Sequence, residues 1–413
     1  MTQTEQIPAE AVIHNARILD GDRATFSEET ADTWIAIADE TVTARGRGDG
    51  WKDRAASARV DVIDAAGGYV APAFVDIHCH GAGGASAEDG SEGIDAMLDV
   101  HRAHGTGRLA LSYVSDTIEG LCESLRAGAG LLSERAMVMG LHAEGPFLSP
   151  DFKGAHAPEV LTSPTPEAVE AILEAADGTL SQITIAPELP GALDAIGRFS
   201  AAGVRVAVGH TAADYALTAQ AFEAGASILT HAFNAMPGIH HRAPGPVLAA
   251  AEAEHVTVEL INDGVHVVAP VARMLHELVP GRLALITDAM AATGLHDGSY
   301  HLGSLPVEVK DSVARLVTAD GTQGAIAGST LTMDEAVKRA VAEVGLSPFD
   351  AVQSAGFVPL RAGGGMPESG DSLHATGGTA GAAGAGSLLA PGMSADLLLL
   401  DEDMSIRASS LGD

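Results

Sequence analysis

The chain has 413 residues, of which 46% are hydrophobic and only two, Cys79 and Cys122, are cysteines. That length can bury a large core and more than one domain, the composition excludes a disordered chain, and two cysteines exclude a disulfide framework. A net charge of −32, from 23 basic and 55 acidic residues, sets the surface against nucleic acid and anionic membranes. No apolar run is long enough to span a bilayer, and Met1 to Glu10 is polar without a basic leader. The expectation is therefore a globular protein of the reducing cytoplasm.

In chain order, Ala11–Asp20 and Thr33–Ile37 read as short strands. Val60–Ile63 follows, then a turn at Asp64–Gly68. From residue 71 the texture changes to alternating strands and helices. Eight apolar runs are spaced through it: Phe74–Cys79, Arg108–Val114, Ala136–Leu141, Gln182–Ala186, Val204–Gly209, Ser227–Thr230, Val256–Ile261 and Leu283–Ile286. Helical stretches such as Gly93–His104, Pro166–Ala176, Ala212–Ala224 and Ala269–Leu278 separate them. Eight such strands in an α/β alternation predict a (β/α)8 TIM-type barrel over residues 71–360. Thr332–Val344 and Pro348–Ala355 read as further helices, the second capped by Ser347. Residues 361–387, rich in Gly and Ala, are expected to form a flexible insert. A last strand, Ala395–Asp401, joins residues 388–413 to residues 1–70 in a small flanking β-sandwich domain built from both chain ends.

A barrel of this kind places its chemistry at the C-terminal ends of its strands. The first run ends in His78-Cys79-His80. Residues two apart on a strand share a face, so His78 and His80 can aim at one point while Cys79 turns away. Later runs end in His142-Ala143-Glu144, Pro187-Glu188, His210, His231, Asn262-Asp263 with His266 beyond, and Thr287-Asp288. His101, His104, His255, His276, His296, His301 and His374 fall instead on helices and loops.

Taken alone, Glu144 reads as a capping or turn carboxylate and Asp288 as the N-cap of a following helix. With four histidines on the same rim they read as metal ligands. His78, His80, Glu144, His210, His231 and Asp288 are enough for two divalent ions bridged by Glu144; one ion on Glu144, His210 and His231 is the alternative. Such ligands suit zinc foremost, and also iron, manganese or cobalt. A metal of this type lowers the pKa of a bound water to ~7 and polarises a carbonyl, and Asp288 can carry the proton to a leaving group.

This constellation resembles the amidohydrolase superfamily. The segments Gly140–Phe147 (GLHAEGPF), Lys153–Ala157 (KGAHA), Thr230–Pro237 (THAFNAMP), Asp263–His266 (DGVH) and Leu285–Ala289 (LITDA) are similar to its branch of N-acetylglucosamine-6-phosphate deacetylases. The resemblance implies a principal metal on Glu144, His210 and His231, with a second possible on His78 and His80. It makes Asp288 the catalytic acid and base and has His266 meet the acetyl carbonyl or a neighbouring sugar oxygen. It implies substrate contacts at Ala155, His156, Asn234, Ala235, Arg242, His266, Ile326, Ala327 and Gly328. It also implies a homodimer in which Arg242 reaches the phosphate in the neighbouring subunit's site. A guanidinium fork suits a phosphate dianion on a protein this acidic. The galacto epimer is an alternative substrate. A cyclic amidase is disfavoured because Glu144 stands where a bridging lysine is usual. An inactive assembly protein is disfavoured because all six ligand candidates are present. The stretch 361–387 departs from the family pattern.

Overall fold

The computed structural model describes residues 4–20, 30–56, 59–318, 321–365 and 387–412. Eight parallel strands pair in sequence order: β1 (Phe74–Cys79), β2 (Thr106–Tyr113), β3 (Val138–Glu144), β4 (Leu180–Ile185), β5 (Arg205–Val208), β6 (Ala226–Leu229), β7 (Thr257–Ile261) and β8 (Leu283–Ile286). The ring closes beyond β8, where the Asp288 amide donates to the His78 carbonyl at 2.9 Å and Cys79 bridges Ala289 in parallel. The TIM-type barrel is therefore present, each strand within a few residues of its apolar run. The runs are continuous rather than alternating because both faces are covered. All six residues of β1, for example, are buried.

The helices between them follow from local signals. Over Pro166–Ala176 the Thr165 hydroxyl accepts from the Ala168 amide, a proline opens the first turn, and Val169, Ile172 and Ala176 share the buried face. The helix stops where Asp177 turns left-handed. Ser347 caps Pro348–Ala355 in the same way, accepting from Asp350 at 3.1 Å. The helix expected over 332–344 is α-helical only through Met333–Arg339 and then loosens into a π-type turn at Ala340–Val344.

Both chain ends build the flanking β-structure. Its sheet runs from Glu5–Gln6 through Ile406–Ser409, Leu397–Leu400, Tyr69–Pro72, Ala11–Ile18 and Thr33–Ala38 to Thr41–Arg47, with Asp61–Asp64 also paired to Ala11–Ile18. Ala11–Ile18 belongs to both leaves, and Ile13, Ile35, Val70, Leu397 and Leu399 form the enclosed core. The stretch expected to be an insert begins inside a helix, since Arg361 and Ala362 close Phe357–Ala362. It ends at Ser387, which is buried against Asp20. Residues 366–386 lie outside the described residues.

One element escaped the sequence. A four-stranded antiparallel meander, Gly298–Leu302, Leu305–Lys310, Val313–Val317 and Gln323–Ile326, stands between β8 and the helix Met333–Arg339. Its strands are half-buried, so their apolar residues alternate with polar ones and no continuous run marks them. Leu302, Val307, Val309 and Ala314 pack on Met290 and Ala292 just past the barrel rim.

Candidate active site

Six side chains meet at the C-terminal rim around one carboxylate. Glu144 Oε1 lies 3.2 Å from His210 Nε2, 3.2 Å from His231 Nε2 and 3.4 Å from His78 Nε2. Its Oε2 lies 3.1 Å from His80 Nε2 and 3.3 Å from His156 Nε2. Asp288 Oδ1 sits across the same space, 3.4 Å from His80 and 3.7 Å from His78. The period-two expectation for β1 holds: both imidazoles face inward, and the Cys79 thiol turns outward to 3.0 Å from His101 Nε2.

The rim backbone is specialised. His210, His231 and Asp288 have φ of 46°, 23° and 49°, a left-handed region that costs a non-glycine residue energy and gathers at functional sites. Behind His210 the chain must be thin. A Cβ on Gly209 would stand 2.6 Å from Thr230 Cβ and 2.9 Å from Thr184 Cγ2. Glu188, three residues past β4, stands outside the cluster and accepts from the Thr211 hydroxyl and the Ala212 amide, which fixes the loop that follows His210.

The donor set suits a divalent ion. His78, His80 and His210 each turn Nδ1 to an acceptor, namely Glu259 at 3.2 Å, the Ser112 carbonyl at 3.1 Å and the Phe152 carbonyl at 3.0 Å. Those bonds turn each Nε2 toward the centre, where, once deprotonated, it can ligate a metal. Two compact donor groups result, His78–His80–Glu144 and Glu144–His156–His210. His231 Nδ1 is buried without a partner.

Charge is pooled tightly. Burial would raise Glu144, yet His78, His156 and His210 hold its carboxyl well below the usual range. Burial would raise Asp288 too, and His78 and His80 overcome it, keeping that carboxylate ionised. Burial would lower His80, but Asp288 and Glu144 push it up to about 9. Burial dominates at His156, which falls to about 4.

The cluster floors a cavity of about 360 Å³. Of the residues expected at the substrate, Ala155, His156, Asn234, Ala235, His266, Ile326 and Gly328 line it, as do His80, Glu144, His210, His231 and Asp288. His266 is held by Asp263, with Nδ1 2.7 Å from the carboxylate. Ala327 is fully buried in the core beneath the meander rather than at the wall. Arg242 is exposed on its loop, 2.7 Å from His241 Nε2, and does not line the cavity of its own chain. Among the described residues no Lys or Arg lines the cavity at all.

Several participants went unread in the sequence. Leu302 and Ala325 reach the cavity from the unexpected meander. Asp76, Gln182 and Glu259 form a polar layer beneath the rim, all buried. Their signal was available, since each is a polar or charged residue inside an apolar barrel strand.

Residues 69–366 match the amidohydrolase family. The chain is 34% identical to the N-acetylgalactosamine-6-phosphate deacetylase of Escherichia coli O157:H7 over 310 residues, 73% of this chain and 80% of that one. It is 35% identical to the N-acetylglucosamine-6-phosphate deacetylase of Vibrio furnissii, over 65% of this chain and 67% of that one. A solved N-acetyl-D-glucosamine-6-phosphate deacetylase from Mycobacterium smegmatis, in complex with N-acetyl-D-glucosamine-6-phosphate, superposes with a TM-score of 0.83 at 37% identity. That likeness covers 97% of this chain and 98% of the other.

Proposed function

The chain belongs to the amidohydrolase family, and from that premise we propose that it hydrolyses N-acetylglucosamine-6-phosphate to glucosamine-6-phosphate and acetate. The observation that carries this reading is the gathering of four inward imidazole Nε2 atoms and Asp288 around Glu144 on the floor of one cavity. Glu144, His210 and His231 would hold a principal divalent ion, and His78, His80 and Asp288 a second. Zinc fits this set foremost, with iron, manganese and cobalt compatible. When bound, the ion supplies a Lewis acid for the acetyl carbonyl and an acidified water.

The chain's own residues do the rest. Asp288, kept ionised by His78 and His80, accepts a proton from the attacking water and delivers it to the amide nitrogen as the C–N bond breaks. His266, with Nδ1 fixed by Asp263, turns its Nε2 edge to the acetyl oxygen. His156, Asn234 and Ala235 hold the sugar, and Ile326 and Gly328 close the opposite wall. A phosphate dianion needs a cation that this cavity lacks among its own lining residues, so Arg242 from a second copy of the chain completes the site. The protein is in this reading a homodimer.

A second reading keeps the reaction and changes the sugar to its galacto epimer, which the Escherichia coli relative is named for. Acetate release from both phosphosugars, with metal counted per chain, separates the possibilities. Turnover of the gluco substrate with one or two ions bound is expected. Preference for the galacto epimer would transfer the assignment. A metal-loaded chain that turns over neither would remove the phosphosugar reading.

A further inference from the structure

One buried carboxylate beneath the cluster has no part in the chemistry above. Glu259 lies in the middle of β7 with none of its surface exposed, and among the described residues no Lys or Arg pairs with it. Its neighbours Val258, Leu260 and Ile261 are apolar, so a carboxylate there is costly unless its oxygens are satisfied. They are. Oε2 accepts from His78 Nδ1 at 3.2 Å and from the His231 amide at 3.2 Å, while Oε1 accepts from Gln182 Nε2 at 2.9 Å.

This wiring is asymmetric. His80 and His210 rest Nδ1 on neutral main-chain carbonyls, and His231 Nδ1 has no partner. Of the four histidines proposed as ligands, His78 alone has Nδ1 on a carboxylate among the described residues. That bond places the proton on Nδ1, points the Nε2 lone pair at the centre and makes the imidazole a stronger donor. The same carboxylate pins the main chain of His231, a residue of the other half-site. We infer that Glu259 is a positioning residue that makes the His78–His80 half of the site able to hold a second divalent ion. The inference rests on the metal-dependent reading above.

An isosteric change isolates the charge. In E259Q the amide oxygen can still accept from His78 Nδ1 and His231 N. Gln182 Oε1 is buried without a partner, so that amide can turn over and accept from the new NH₂ group. Every hydrogen bond survives and only the negative charge is lost, so a purely structural role would be unmoved.

The full chain, stripped with chelator and returned to buffered free zinc, is assayed by zinc per chain, with thermal melting as the control for folding. Wild type is expected to take two zinc ions. E259Q is expected to take the first as tightly as wild type and the second about 10–100-fold more weakly, at an unchanged melting temperature. A second zinc bound by E259Q as tightly as by wild type overturns the inference, as does a wild-type chain that takes only one. If neither chain takes zinc or any other divalent ion, the metal-dependent reading itself fails and the inference goes with it.

Discussion

Asp288 has to be ionised in a place that disfavours charge. It is 8% exposed, and the positive character of His78 and His80 keeps its carboxyl low. Replacing it by Asn removes the proton carrier of the proposed reaction while keeping the shape, so D288N is expected to lose ~10²–10⁴-fold in kcat. Retained ion content would locate that loss in proton transfer; a kcat within threefold of wild type would remove Asp288 from that role. The histidines give a pH dependence with a definite sign. Without a bound ion, and against the pull of burial, Asp288 and Glu144 push His80 up to about 9, above its ordinary 6.5. Its stabilising contribution is therefore complete below 6.5 and is lost as pH rises through 9. Glu144 and Asp288 are displaced downward, so their contributions are present at neutral pH and fade only in acid. Ion-free protein should melt at a lower temperature at pH 9 than at pH 6.5. Zinc affinity should climb over the same interval, because the ion competes with protons for the same imidazoles. A melting temperature that does not fall across this window would contradict the assigned ion pairs.

At the scale of elements, a side chain helps to fasten the seam where β1 meets the chain just past β8. Asp76 on β1 accepts from the His78 amide at 3.2 Å, the Thr287 amide at 3.3 Å and the Thr287 hydroxyl at 2.5 Å. Burial pushes Asp76 up to about 6 against the pull of Thr287, so the fastening is worth less than three bonds in isolation. D76A strands these buried donors and should cost about 2–4 kcal/mol, while D76N keeps an acceptor and should cost less. Urea unfolding checks the order, and equal midpoints for D76A and wild type would discount the seam. β5 makes a comparable demand through Gly209. G209A forces a methyl group against Thr230 and Thr184 and should cost about 1–3 kcal/mol. The strain falls beside His210, so ion content should drop at temperatures where the fold persists.

For the whole molecule, the question is where a protein of charge −32 finds a cation for a phosphate. The cavity wall offers none among the described residues, and Arg242 is exposed on a loop outside it. If Arg242 serves a neighbouring site, R242A should raise KM for the phosphosugar at least tenfold and leave kcat nearly intact. At substrate well below KM, mixing R242A with D288N chains should then raise activity above that of either variant alone. Random pairing in a two-fold dimer rebuilds roughly a quarter of the sites. No recovery on mixing would place Arg242 outside the site.

The barrel was legible because strands buried on both faces must be apolar throughout, and eight such runs leave a periodic trace. The convergence of the rim residues was legible because a strand's period fixes which residues share a face, and His78 and His80 both turn inward. The flanking module could be read as a joining of the two ends, since each end carries strands and no long helical pattern. The meander over 298–326 could not, because half-buried short strands alternate too weakly to stand out. Nor could the layer of Asp76, Gln182 and Glu259. A charged residue in an apolar strand announces that it must have partners, but those partners lie on other strands. The sequence by itself determined the architecture, the types of side chain gathered at the rim and the edge of the barrel that carries them, since these follow from local periodicity. Only the tertiary structure decided which nitrogen of each histidine faces the centre, which carboxylate backs it and what closes the cavity, since these depend on contacts between residues distant in the chain.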